Sequence, residues 1–528
     1  MKRQAACCVA VLALSATGAV AETKQGGTLY LALRDTPPSA SIHEETTNST
    51  VVPFMPVFNN LMVFDQLSTR SDASTIKPDL ADEWSWSEDG KTLTMRLHPG
   101  VKWHDGQPFT SADVQCTWDT LRGTRDAGWR KNPRKPWYDN LAEVKVNGDD
   151  EVSFVLKRPQ PSFISYLASG FSPVYPCHVD GAQMRREPIG TGPFKVQSFS
   201  PNQGLVLERN SDYFKENKPH LDSIEYALIP NSGTRTLSFV SGQLDMTWSD
   251  INPEMEADIR NQKPDAICDL APAPSTGQLV YNPKSEAFKD PRIRKAIALA
   301  IDRDAFSQVM SKGQVQVAGV MMPGPDGQWG LSPDDMADIP GYGKDIEANR
   351  AEARALMEEL GYGPDKRLTV PLMTVNRPAH VTPSTLLADQ LRDIYIDAHL
   401  DSVEISVWTK RANARSEYEF THWAMAPAMD DPDPIFFENY ACGAARNLSD
   451  YCNPDTQKMI EQQSSTTDPA ERVRLVREID RKLQSESARP VLYGSMIGEC
   501  RQPYVKNAVR ATNSFYNSFR YEDVWLDR

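Results

Sequence analysis

At 528 residues the chain is too long for one hydrophobic core, so two or three domains are expected. The composition is that of a globular protein, 40% hydrophobic and 24% charged, and the net charge of −14 repels nucleic acid and anionic lipid surfaces. Its 39 prolines argue against long coiled coils and for many turns and edges. The N-terminus reads as an export signal: Lys2 and Arg3 form a basic end, Ala5 to Val20 an apolar and small-residue run, and Ala19-Val20-Ala21 an A-x-A cleavage site. Cleavage after Ala21 would start the mature chain at Glu22. The run is short for a bilayer span, which disfavours a membrane anchor. Cys7 and Cys8 fall too early to become a lipid-bearing mature N-terminus, so a soluble exported product is expected.

Gly26 to Leu33 (GGTLYLAL) is expected as the first strand, and Arg34 to Pro38 as a turn that leaves charged groups at its end, where open α/β sheets gather ligands. Asn48 to Asp65 is an apolar, partly helical segment. From Ile76 to Leu121 the pattern becomes sharp. Ser87-Glu88-Asp89-Gly90 is a polar turn, and Leu93, Met95 and Leu97 alternate with Thr92, Thr94 and Arg96 as in a half-buried strand. Pro99-Gly100 and Asp105-Gly106 punctuate the chain again, and Ser111 or Asp113 caps a helix bearing Val114, Trp118 and Leu121. Nothing in this stretch is catalytic by pattern.

Its wording is nevertheless specific. A-D-E-W-x-x-S-x-D-G-K-T from Ala81, followed by V-K-W-H-D-G-Q-P-F-T-S-A-D-V from Val101, closely resembles the signature of solute-binding protein family 5, the extracytoplasmic receptors of peptide, nickel and opine ABC importers. The resemblance implies a two-lobed α/β periplasmic binding protein fold (type II, cluster C-like) with an inserted α+β subdomain. It also implies a periplasmic location, an inner-membrane permease as partner and action as a monomer.

The rest of the chain is segmented accordingly. Two further alternating strands between Asp139 and Lys157 complete a self-contained α+β insert over about 46–186. The run GTGPFKV from Gly190 is similar to the family's re-entry into the first lobe; phosphate binding is disfavoured because the G-x-G-x-x-G spacing is missing and Pro193 removes an amide donor. A short helix is expected over Thr234–Val240. Asp290-Pro291 starts a helix with Ile293, Ile297, Ile301 and Phe306 on one stripe, and further helices are expected from Asp345, Pro383 and Asp468-Pro469. With strands over 368–374 and 402–407 they interleave as an α/β lobe on a mostly parallel sheet. The expected order is signal peptide 1–21, first lobe 22–45, insert 46–186, first lobe again 187–272, second lobe 273–495, and first lobe once more 496–528, joined by two crossover strands.

Six cysteines remain after the signal, and an even number in an exported chain favours disulfides over metal or catalysis. Cys442 and Cys452 flank a short polar loop and are the first expected pair; dipeptide-binding relatives carry a similar bridge. Cys116, Cys177, Cys268 and Cys500 allow three pairings, and Cys116–Cys177 is favoured because both fall in the insert, leaving Cys268–Cys500.

No H-E-x-x-H, G-x-S-x-G or P-loop occurs, and the eight histidines show no ligand spacing, so neither enzyme activity, a cofactor nor a metal is expected. Spatial triads leave no sequence trace, which keeps a secreted hydrolase as a minor alternative. Six residues are candidates for ligand contact. Arg377 follows a strand and precedes Pro378, similar to the arginine-proline pair with which dipeptide-binding relatives clamp a carboxylate; the competing role is an ordinary surface arginine. Asp430 and Asp431, with Asp433, crowd three acids into one loop, explained either by a ligand ammonium or by capping of the helix that follows. The aspartate that holds the amino group in peptide-binding relatives is replaced by Ala428, which weakens the case for an ordinary peptide. Trp248, Trp408 and Trp423 are candidate aromatic walls, with core packing as the competing role. The expected function is capture of a small polar solute, a peptide, an opine or a related amino-acid conjugate, for a permease; a sensor or chaperone-like binding protein is the alternative.

Overall fold

The computed structural model describes residues 23–45, 47–125, 128–200, 202–315 and 319–528; the expected signal peptide, 1–21, lies outside them. Three sheets organise the molecule. The first has the strand order Thr28–Leu33, Ser223–Leu228, Gly204–Arg209, Phe194–Ser200. Its first pair is parallel and the others antiparallel, and period-two alternation turns Leu29, Leu31, Ile224, Leu205 and Leu207 inward. The second sheet, Ala81–Trp86, Thr92–Leu97, Glu151–Leu156 and Leu141–Val146, is antiparallel throughout. Leu93, Met95 and Leu97 are buried as their alternation requires. The helix Ser111–Arg122 packs with this sheet through Val114, Trp118 and Leu121; Thr110, one residue earlier than expected, forms a capping box with Asp113.

The expectation of a self-contained insert is corrected by the packing. Leu31, Phe58, Trp118 and Phe154 belong to one continuous core, so the segment has its own sheet but not its own interior. The join explains the GTGPF run: a Cβ on Gly192 would stand 2.4 Å from the Val57 carbonyl carbon, so only glycine lets these backbones touch.

The third sheet runs Ile396–Val403, Leu368–Val375, Phe420–Met425, Ile267–Tyr281, Val491–Arg501 and has a separate core with the helices Pro291–Ala300, Ile346–Glu359 and Pro378–Arg392. Its first three strands pair in parallel and Val491–Arg501 points the same way, in keeping with a mostly parallel sheet, while Ile267–Tyr281 between them runs against both its neighbours. Asp290, Asp345 and Asp468 each cap their helix by accepting a backbone amide. Three local readings change. The stripe from Ile293 to Phe306 spans two helices, because Asp302 caps a new one over Arg303–Ser311. The helix expected from Pro383 begins at Pro378, with Arg377 as its extended N-cap. The strand expected at 402–407 ends at Val403, and Ile405–Ala414 is a helix that buries Trp408 and Ala412, four residues apart on one face.

The strands Ile267–Tyr281 and Val491–Arg501 pair from Ile267↔Arg501 to Gln278↔Val491 and link the lobes. Cys500 packs with Ala32 and Phe239 of the first lobe, whereas Leu279 and Tyr281 belong to the core of the second. The chain then returns to the first lobe, where Arg528 Nη2 donates to the Thr28 carbonyl at 3.0 Å. The disulfides are Cys116–Cys177, Cys268–Cys500 and Cys442–Cys452. Among the described residues no helix is long and apolar enough to cross a membrane.

Candidate ligand cleft between the lobes

The strand Phe420–Met425 leaves its sheet into the loop 426–431, which feeds the helix Pro432–Asn439. Asp431 caps that helix by accepting the Asp433 amide at 2.9 Å, and both its oxygens accept from Arg472, at 2.8 and 2.9 Å. Asp433 is fully buried; Ser162 Oγ donates to it at 2.6 Å, Gln160 Nε2 at 3.2 Å and Ser464 Oγ at 2.8 Å. Burial alone would depress Arg472, but Asp431 and Asp433 outweigh it and hold the guanidinium above its ordinary value. Of the two explanations for the crowded acids, Asp431 therefore takes the capping one: its oxygens are engaged by Arg472 and the helix terminus rather than by a ligand ammonium.

Asp430 faces the other way. Its carboxylate accepts from Asn513 at 3.0 Å and from Arg70 at 3.4 Å, both on the first-lobe side. Burial pushes its carboxyl up to about 7, against the Asn513 bond and the Arg70 charge that pull it down. Further bonds close the lobes on each other: Arg158 to Ser464 and Ser465 at 3.0 and 2.9 Å, and Arg70 to the Asp326 carbonyl at 2.8 Å.

Between these contacts lies a cavity of about 40 Å³ whose walls come from both lobes. Arg134, Trp137 and Phe171 form one side, Glu438 and Arg446 the other, and Tyr516 closes it from the C-terminal segment. Arg134 ends its loop just before the 3-10 turn Lys135–Tyr138, positioned by its own amide on Asn132 Oδ1 at 2.9 Å. Its guanidinium lies 3.2 Å above the centre of the Phe171 ring and donates to the Glu45 carbonyl at 2.8 Å. Glu438 accepts from Arg446 at 2.8 Å and from the Trp137 indole across the cleft. Arg446 stands in the loop that Cys442–Cys452 closes.

None of the six sequence candidates lines this cavity. Arg377 is half exposed and reaches Asp35 of the opposite lobe at 3.8 Å. Asp35 also accepts from Arg34 at 3.0 Å, and Arg34 lies 5.9 Å over Trp248. These residues form a second polar contact across the cleft, with Trp248 itself buried beneath it. Trp408 and Trp423 stack at 3.9 Å and His380 continues the stack on Trp423 at 5.4 Å. Trp408 is core, its indole donating to Thr421 at 2.8 Å, and Trp423 is half-buried above it. His380 and His422 are held down at about 4 and about 3, mainly by burial, so both are neutral imidazoles. No group of three or more His, Cys, Asp or Glu among the described residues is placed to hold a metal. The cavity residues escaped the sequence reading because they come from segments far apart in the chain; the disulfide loop around Arg446 was the one local sign.

The family model of bacterial extracellular solute-binding proteins, family 5 middle, matches residues 75–447. The dipeptide-binding protein of Escherichia coli K12 is 26% identical over 521 residues, 93% of each chain. Among solved structures, the periplasmic binding protein DppA of Helicobacter pylori, in complex with the peptide STSA, superposes with a TM-score of 0.79 at 20% identity, over 96% of this chain and 99% of that one. AgaA of A. tumefaciens R10, in complex with agropinic acid, gives the same TM-score at 22% identity, over 95% and 99%. Matched along most of its length, with a cavity enclosed between two α/β lobes, the chain belongs to the bacterial extracellular solute-binding proteins of family 5.

Proposed function

We propose that the protein is the periplasmic receptor of an ABC importer, exported through the cleavable signal before Glu22 and acting as a monomer. It captures a small polar solute between its lobes, of the peptide or opine type, and presents it unchanged to an inner-membrane permease. The observation that carries this reading is the cavity whose charged walls come from both lobes, Arg134 on one and Glu438 with Arg446 on the other. A dipeptide-binding relative and structural neighbours holding a peptide and agropinic acid support the solute class. Closure is a population shift, driven by contacts that the solute makes better with the closed form than with the open one.

Arg377 is assigned to an anionic group at the outer contact with Asp35, and Asp430 to the closing contact with Arg70 and Asn513. Calorimetry with dipeptides, opines and amino-acid conjugates, paired with small-angle scattering, tests the reading. A bound solute should shrink the particle and be recovered chemically intact, and deletion of the gene should abolish its uptake. Turnover of the solute, or binding with no change of shape, would reject it.

A further inference from the structure

The protein carries a net charge of −14, yet its cleft is rich in arginine. Arg134 and Arg446 line the cavity with one carboxylate, Glu438, and Arg34 and Arg377 share Asp35 at the outer contact. Glu438 is already shared between Arg446 and the Trp137 indole, and Asp35 between Arg34 and Arg377. Arg134 is left over. It is almost completely buried, and among the described residues no carboxylate oxygen comes within 4.0 Å of its guanidinium; its one hydrogen bond is to a carbonyl. Burial is the main cause that depresses it, while across the cavity Glu438 raises it and Arg446, the weaker of the two, lowers it. Tyr516 lines the same cavity as Arg134 and Arg446. A buried cation with no carboxylate in contact is costly, and an anion entering the cavity would relieve it.

We infer that the solute carries more carboxylates than amines, as in an acidic dipeptide or a multiply carboxylated amino-acid conjugate, with one carboxylate seated between Arg134 and Arg446. The inference rests on the receptor reading and adds the charge of the solute to it. The Arg134 guanidinium is held over the Phe171 ring and by the Glu45 carbonyl, and a guanidinium held in place suits two parallel hydrogen bonds to a carboxylate. The side that would need an acidic group to receive a ligand ammonium presents Met425 to Ala428 instead.

Calorimetry on the mature chain at pH 7 with Glu-Glu, Ala-Ala, Lys-Lys and N-(1-carboxyethyl)glutamate tests this. One of the two acidic probes should bind at least tenfold tighter than Ala-Ala, and Lys-Lys should not bind; the tighter of the two acidic probes tells peptide from conjugate. Arg134→Met should weaken the acidic probe at least tenfold and abolish its advantage over Ala-Ala. Arg446→Gln, at a half-exposed position that cannot unfold the core, should do the same. Ala-Ala or Lys-Lys binding as tightly as the acidic probes, or variants that lower every probe equally, would overturn the inference and leave the receptor reading standing. Failure of all four probes and of every solute in a cell extract would overturn both.

Discussion

Two clusters of buried charge flank the same short helix, Pro432–Asn439, and they are built on opposite terms. At its start, Asp431 and Asp433 share Arg472, and every polar atom around them is answered by a serine, a glutamine or the helix terminus. At its end, Glu438 and Arg446 pair with each other and leave Arg134 without a carboxylate. Fully partnered charge holds a loop in place; surplus charge beside a cavity waits for something from solution. Residue type cannot tell the two apart, since both clusters read as acids and arginines on a polar segment. The partners decide it.

The largest effect expected from breaking this contrast is at the first cluster. Arg472→Met leaves two buried carboxylates without their cation and should cost about 3–5 kcal/mol, read from the shift of the urea midpoint; an unmoved midpoint would mean the acids are held by the serines and glutamines alone. Asp430 comes next. Its carboxyl is raised to about 7, above the usual aspartate range, so the folded state holds its proton where the unfolded chain has lost it. Its contribution is therefore fully present at acidic pH and declines as pH rises from about 4 through 7. Asp430→Asn should then stabilise the protein at pH 8 by roughly 2–4 kcal/mol and converge with the parent near pH 4. Parallel stability profiles for the two proteins would discard the assignment.

The same substitution that cripples the first cluster should be mild at the second. Arg134→Met removes an unpaired buried cation, so stability is expected to stay within about 1 kcal/mol of the parent, or to rise, even as affinity for an acidic solute falls. A loss as large as that of Arg472→Met would place Arg134 among the structural charges. The smallest change is expected at the cleft's rim. Arg377 and Asp35 are both well solvated, and Arg377→Ala should alter stability by less than about 0.5 kcal/mol. Its readout is affinity: if the tightest solute binds the variant equally well, Arg377 is a surface arginine.

What could be read in advance follows the range of the interactions involved. Helix caps and alternating strands are local, and Asp290, Asp345 and Asp468 or Leu93, Met95 and Leu97 announce themselves within a few residues. Ser402 to Trp408 did not, because a run of apolar and polar residues that short fits period two and period 3.6 alike, and burial of Trp408 and Ala412 settled it in favour of a helix. Pro378 and Pro383 both fit a first helical turn, and the choice fell to Arg377, whose extended backbone ends the strand before it. The cavity lay further out of reach. Arg134, Glu438 and Tyr516 are ordinary residues in their own segments, and only the closing of two lobes gives them a common neighbour.

The bridge between Cys268 and Cys500 has a mechanical consequence. It rivets the two connecting strands to each other at their first-lobe end, and their pairing stays in register from there to Ala273 and Ser495 before it slips at Thr276 and again at Gln278. The linked portion is anchored to the first lobe, where Cys500 packs with Ala32 and Phe239. The slips interrupt that pairing toward the second lobe, where the ribbon has fewer regular hydrogen bonds to resist bending. Two strands yoked in this way cannot slide past each other along the linked portion, so the ribbon keeps its register whatever the angle between the lobes.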